Sequence, residues 1–177
     1  MKIMDFLTKY WSQIGVVLFG IGFIIRLLLE SRYKKIEINH SLFQQNRINT
    51  VNSFFSYYAK AELMWNQISV YEILSNNIKA KDIDSIIFPS LDDLNRTVLE
   101  LKMYFNSKDH SYFQKLAEGF TFINGKLIKL YFNSSDDMNV IVKANEFTRY
   151  RDEILDKNKF VIDELCLRIR RAFKTKF

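Results

Sequence analysis

The sequence has one proline and five glycines in 177 residues. So few chain breakers favour long uninterrupted helices. The single cysteine, Cys166, excludes an intrachain disulfide and a cysteine-rich zinc site. Two histidines, His40 and His110, leave little material for a histidine-based metal or acid/base site. The chain also lacks the nucleotide-binding P-loop, the dinucleotide glycine fingerprint, the zinc-protease helix motif, paired cysteines two apart and the nucleophile elbow. No cofactor or metal is expected.

What is present is apolar. Trp11 to Leu29 reads WSQIGVVLFGIGFIIRLLL, and residues 14–25 carry no charge. At about 1.5 Å per residue, this run reaches about 28 Å, the thickness of a bilayer's hydrocarbon core. Tyr10 and Trp11 stand where an interfacial aromatic belt belongs, and Arg26 is placed to snorkel at the other end. A cleaved signal peptide needs a small-residue cleavage site, but Glu30-Ser31-Arg32-Tyr33-Lys34-Lys35 follows instead. A buried core helix rarely carries apolar residues on every face. The run reads as one transmembrane helix, with the lipid bilayer as its first partner.

Lys2 and Lys9 precede the run, while Arg26, Arg32, Lys34 and Lys35 lie at or beyond its end. The positive-inside bias places the C-terminal part in the cytoplasm and the span in the inner membrane. The expected organisation is a short extracytoplasmic N-terminus (1–9), a transmembrane helix (10–29) and a cytoplasmic helical domain (30–177). Residues 30–47 of that domain form a stalk. Gly15, Gly20 and Gly22 lie inside the span. Gly15 and Gly22 are seven apart and share a face that can admit a neighbouring helix, although glycine is also common in membrane helices generally.

The rest reads as an all-α antiparallel bundle of about four helices. Val51, Phe54, Tyr58, Ala61, Trp65 and Ile68 alternate spacings of three and four, a seam ending near residues 75–77. Residues 78–89 read as a connection, with Pro89 stopping the incoming helix and Ser90 with Asp93 as a capping box. Leu91, Leu94, Val98, Leu101 and Phe105 continue from that box. Phe113, Leu116, Phe120, Ile123, Leu127 and Leu130 make a helical seam, yet Asn124-Gly125 is also a hairpin signal. Helix and hairpin both remain open over 120–132, with helix favoured. Asn133 to Asp137 reads as loop and cap, and 137–174 as one long helix.

Asp92-Asp93 and Asp136-Asp137 fall at expected helix starts, where capping explains them. His40 reads as a solvated stalk residue, His110 as a capping-region histidine and Cys166 as a small apolar residue. At the end, Arg168, Arg170, Arg171, Lys174 and Lys176 interleave with Ile169, Phe173 and Phe177. Such a segment can grip RNA or lipid phosphates, or complement a helix dipole.

In length, anchor and following helical domain, the chain resembles the membrane-anchored accessory proteins of type VI-B, RNA-targeting CRISPR systems. Their domain is likened to a divergent HEPN fold, a helical bundle found in many ribonucleases. The HEPN signature is an arginine, a polar residue and a histidine a few positions on. Arg151-Asp152 matches its start, but the histidine positions hold Asp156, Lys157 and Asn158. Without the imidazole, a HEPN-like copy should be catalytically silent. The resemblance implies a homo-oligomeric, pore-forming or depolarising membrane protein, not an enzyme. It also implies a functional link to an RNA-guided nuclease in antiviral defence. A membrane-tethered module that docks a protein or RNA is the alternative; a tethered ribonuclease is a third, disfavoured by the missing histidine.

Overall fold

A computed structural model describes residues 2–75, 77–132 and 139–174, with side chains described from residue 19 onward except those of residues 80 and 174. The described residues form five helices: α1 Lys2–Gln67, α2 Val70–Leu74, α3 Ala80–Leu101, α4 Ser107–Phe132 and α5 Val140–Lys174. No strand occurs among the described residues. The chain divides into two compact units, Met1–Asn46 and Arg47–Phe177.

The second unit is a helical bundle. Its core is the expected seam residues: Phe54, Tyr58, Ala61 and Trp65 from α1, and Phe113, Leu116, Phe120, Ile123 and Leu127 from α4, all buried. Ring contacts set the directions. Phe54 meets Phe113 edge-on at 4.9 Å and Tyr58 meets Phe120 at 5.0 Å, so this part of α1 runs parallel to α4. Asp109 with Arg168 and Lys126 with Glu146 pair α4 antiparallel to α5. The edge-to-face and tilted ring pairs add to the area they bury.

Three expectations need correction. Pro89 does not start a helix; it lies inside α3. It removes one backbone donor and costs about 3 kcal/mol. However, Ile83, Ile87, Leu91, Leu94, Val98 and Leu101 form one buried stripe across it. Ile83 and Ile87 alone return about 1.5–3 kcal/mol each, enough to carry the helix through. Ser90 and Asp93 therefore form no cap. Ser90 is buried mid-helix, and the Asp93 carbonyl accepts from Thr97 Oγ1 at 2.8 Å. Asp92-Asp93 likewise stands mid-helix; Asp136-Asp137 lies outside the described residues.

The third correction concerns residues 68–75. The α1 seam does not run on to residue 75; α1 ends at Gln67 and α2 restarts at Val70. At about 100° per residue, an unbroken helix would turn Val70, Ile73 and Leu74 away from Ala61 and Trp65. The break at Ser69, where ψ is 86°, re-aims all three into the core. Residues 120–132 are helical throughout, which settles the hairpin alternative against itself.

A functional cap appears where none was expected, at Asn106. Its Oδ1 accepts the Asp109 amide at 2.9 Å, and its Nδ2 donates to the Asp109 carboxylate at 2.8 Å. Asn139 opens α5 similarly, accepting the Ile141 amide at 3.0 Å.

Two glycines in α4 make opposite predictions. A Cβ on Gly119 would lie 2.9 Å from Asn158 Nδ2 and 3.2 Å from Ile154 Cγ2, whereas one on Gly125 meets nothing within 4 Å. Denaturant unfolding should find Gly119→Ala destabilised by about 1–3 kcal/mol through overpacking. Gly125→Ala should be stabilised by about 0.5–1 kcal/mol through helix propensity.

Candidate functional site

In the first unit, the described part of the apolar run is helical and uncovered. Phe19 is 79% exposed and Leu28 63%, and Ile21, Phe23, Ile24, Ile25, Leu27 and Leu29 are each about half exposed. At helical spacing these residues surround the axis rather than forming one stripe. A Cβ on Gly20 or Gly22 would meet nothing within 4 Å, so both leave room for close helix approach. Arg26 donates to Glu30 at 2.8 Å, an exposed pair within one helical turn. The side chains of Trp11, Ser12, Gln13 and Gly15 lie outside the described residues.

Among the described residues, no helix is long and apolar enough to cross a membrane. Residues 19–29 alone span only about 16 Å. In the stalk, His40 is exposed, and its Nε2 lies 3.5 Å from Gln44 Nε2.

In the second unit, Arg151 and Asn158 of the Arg151-Asp152…Asn158 motif turn inward, while Asp152 is exposed. Arg151, 15% exposed, donates from Nη1 to the Trp65 carbonyl at 3.0 Å and pairs with Asp152 at 2.8 Å. Trp65 belongs to the last turn of α1, so Arg151 satisfies a helix-end carbonyl and complements that helix's dipole. Asn158, two turns on, is 5% exposed and sits against Gly119, with Nδ2 3.5 Å from the Leu116 carbonyl. It also hydrogen-bonds Tyr58. Burial pushes the Tyr58 phenol up to about 12, with the Asn158 bond opposing and Glu62 adding to the rise. These are the contacts of packing residues: Arg151 and Asn158 share a face and spend it holding α1 and α4.

The basic end divides. Arg168 is not a free tail cation: it donates to Asp109 at 3.2 Å and lies 4.5 Å over the Tyr112 ring. The Asp109 hydrogen bond holds its guanidinium above the ordinary range. Arg170 and Arg171 are exposed; Lys176 and the Lys174 side chain lie outside the described residues. His110 is half-buried, with its ring Nε2 2.9 Å from the Val98 carbonyl, joining α4 to α3. Cys166 is partly buried.

Arg47, Asp109 and Tyr58 are the residues the sequence reading did not single out as polar sites. Arg47 is buried, 4.5 Å from the rings of both Phe105 and Phe173. Burial pulls its guanidinium down, and Asp109 works against that. A signal existed: Arg47 stands four residues before Val51, on the apolar seam itself.

Two depressions with largely apolar walls mark the surface of the second unit. A groove of about 430 Å³ includes Leu63, Met64, Ile68, Ile83 and Ile86 in its walls. A smaller one, about 240 Å³, lies beside Phe88, Leu127, Ile128 and Phe132. No cluster of three or more metal-binding side chains occurs among the described residues. Compared with protein-family models, curated proteins and solved structures, the chain matches none.

Tyr58 supplies a pH prediction. Its folded-state value lies above the unfolded tyrosine value of about 10, so the neutral phenol stabilises the fold below pH 10. That contribution is lost as pH rises from about 10 to about 12. Urea unfolding across this window should show wild type losing on the order of 2 kcal/mol more than Tyr58→Phe. Parallel pH profiles for the two proteins would show that Tyr58 is not the titrating group.

Proposed function

We propose that the chain is a non-enzymatic, homo-oligomeric membrane effector, pore-forming or membrane-depolarising, that reinforces an RNA-guided CRISPR nuclease in antiviral defence. The uncovered apolar helix carries the reading. Eight large apolar side chains between Phe19 and Leu29 are about half or more exposed, on all sides. Such a surface is costly in water and is stable against lipid or against other copies. The membrane anchor is residues 10–29, with Trp11 at one interface and Arg26 at the other. Residues 30–177 work on the cytoplasmic side of the inner membrane. Copies approach through the glycine-bearing face, and Ser12 and Gln13 supply a polar mouth. The link to a CRISPR nuclease rests on the family resemblance alone.

The Gly15→Leu/Gly22→Leu double variant tests the assembly. It makes the span more apolar, so insertion survives, while neighbouring helices are pushed apart. Expected are normal membrane insertion, smaller oligomers in mild detergent and loss of depolarisation on expression. A double variant that assembles and depolarises like wild type removes the glycine face from the proposal. A strictly monomeric wild type, in detergents and nanodiscs alike, ends the pore reading.

The absence of nuclease chemistry is separately testable. With Asn158 where the HEPN histidine would fall, purified protein should cleave RNA at background, before and after Arg151→Ala. The same substitution should lower stability by about 1–3 kcal/mol, because it strips the Trp65 carbonyl of a charged donor. Cleavage abolished by Arg151→Ala would restore the enzyme reading.

The apolar groove at Leu63, Ile68 and Ile86 favours a second reading, a membrane-tethered module that docks a partner. A tether needs neither oligomers nor depolarisation, so the same two measurements separate the readings.

A further inference from the structure

Residues 2–46, the described part of the first unit, belong to one helix. Among the described residues, that unit has no second element to pack on its sides. An isolated helix is marginal in water and draws its stability from covering an apolar face. The stalk has such a face. Leu29, Tyr33, Ile36 and His40 follow one another at spacings of four, three and four, and Phe43 stands next at three. Tyr33 is 70% and Ile36 65% exposed, and Leu29, His40 and Phe43 are exposed as well. This is a seven-residue repeat open to its surroundings. We propose that residues 29–43 are the contact surface for a second copy of this chain, joined as a parallel, in-register coiled coil.

Flanking charges select the partner and its direction. In a seven-residue repeat, the positions on either side of the apolar stripe meet the neighbouring helix. Arg32 lies on one flank and Glu37 on the other, both exposed. In a parallel coil of identical chains, a residue on the first flank faces the residue five further on along its neighbour's second flank. Arg32 therefore meets Glu37 of the second copy. The same count sets Asn39 against Gln44 of the second copy, an amide against an amide. Turned antiparallel, the flank of Glu30 and Glu37 would lie along itself, and like charges would repel. A chain whose apolar stripe and flanks fit another copy in one direction carries its own partner.

One polar residue interrupts the stripe. His40 stands at an apolar position of the repeat, with Nε2 3.5 Å from Gln44 Nε2 in the same helix. A single polar side chain there lowers the stability of a coil and fixes its register, because copies meet with their polar residues at one level. Ile38 and Leu42 are exposed too, but at about 100° per residue they point to the opposite side of the helix. Counted back by sevens from Leu29, the stripe holds Gly22 and Gly15, so the glycine face and the stalk form one line. The inference rests on the homo-oligomeric reading and deepens it; it needs neither a pore nor depolarisation.

The test follows self-association of the purified full chain by sedimentation in mild detergent. Arg32→Glu and Glu37→Arg should each weaken it by roughly fivefold, since each sets like charges opposite one another. The double variant Arg32→Glu/Glu37→Arg should return to the wild-type value. Residues five apart are not neighbours on one helix, so that rescue cannot come from within a chain. Ile36→Gln should weaken association by about tenfold and His40→Ile tighten it by about tenfold, while Leu42→Gln, exposed but off the stripe, should leave it within about twofold. A double variant no stronger than the single ones overturns the coil. So does equal weakening by Ile36→Gln and Leu42→Gln, which would mean unspecific apolar contact. An oligomer that no stalk substitution alters removes the stalk and leaves the homo-oligomeric reading standing. Stalk-dependent oligomers without depolarisation keep the coil and remove the pore. A monomeric wild type overturns both.

Discussion

The bundle depends on the contact between Gly119 and Asn158. Only a residue without a Cβ lets α5 approach α4 this closely, and the amide of Asn158 fills the space that glycine leaves. Asn158 then reaches both neighbours, the Leu116 carbonyl on α4 and the Tyr58 hydroxyl on α1. A buried amide is tolerable only when its polar atoms find partners, so this side chain also fixes the register of three helices. The ring pairs on either side, Tyr58 on Phe120 and Trp65 on Phe147, can close only in that register.

Charged groups occupy the ends of this core rather than its middle. Arg151 closes one end by serving the last turn of α1. Asp109 closes the other, between Arg168 and the buried Arg47. Lys126 and Glu146 pair along the α4–α5 seam, where the lysine holds the glutamate below its ordinary range. Breaking one partner of a part-buried pair leaves an uncompensated charge, which costs more than the intact pair contributes. These clasps therefore act mainly as selectors of one packing. The inward turn of Arg151 and Asn158 follows from the same economy: the residues that resemble a nuclease signature are committed to structure.

The seams were legible because burial on a helix leaves a period in sequence that needs no knowledge of the partner. Phe113, Leu116, Phe120, Ile123 and Leu127 could be read directly, and they outweigh Asn124-Gly125 because Ile123 and Leu127, four apart, must both face the core. Pro89 misled because a local rule was weighed without the stripe that crosses it. The pause at Ser69 was illegible for the opposite reason: its cause is the direction of α4 and α5, which no local pattern reports. Asn106 with Asp109, by contrast, caps α4 through a purely local spacing of three residues. The role of Arg47 needed the structure, since its partners Phe105, Asp109 and Phe173 are 58, 62 and 126 residues away.

The two units differ in where their apolar side chains go, and that difference bears most on function. In Arg47–Phe177 the large apolar residues of each seam point at one another. In the described part of Met1–Asn46 they do not: Phe19 to Leu29 present apolar surface on every side, and Tyr33, Ile36 and Leu42 continue exposed along the stalk. Glycines at 20 and 22 weaken a helix by about 1 kcal/mol each in water, so propensity does not explain them here. A helix that is apolar all round and interrupted by small residues has its favourable environment outside its own chain. Lipid covers such a helix without specificity, whereas a second helix at the glycine face gains close van der Waals contact. On such a segment the larger side chains suit an apolar environment on every side, and the small residues suit the close approach of a second helix.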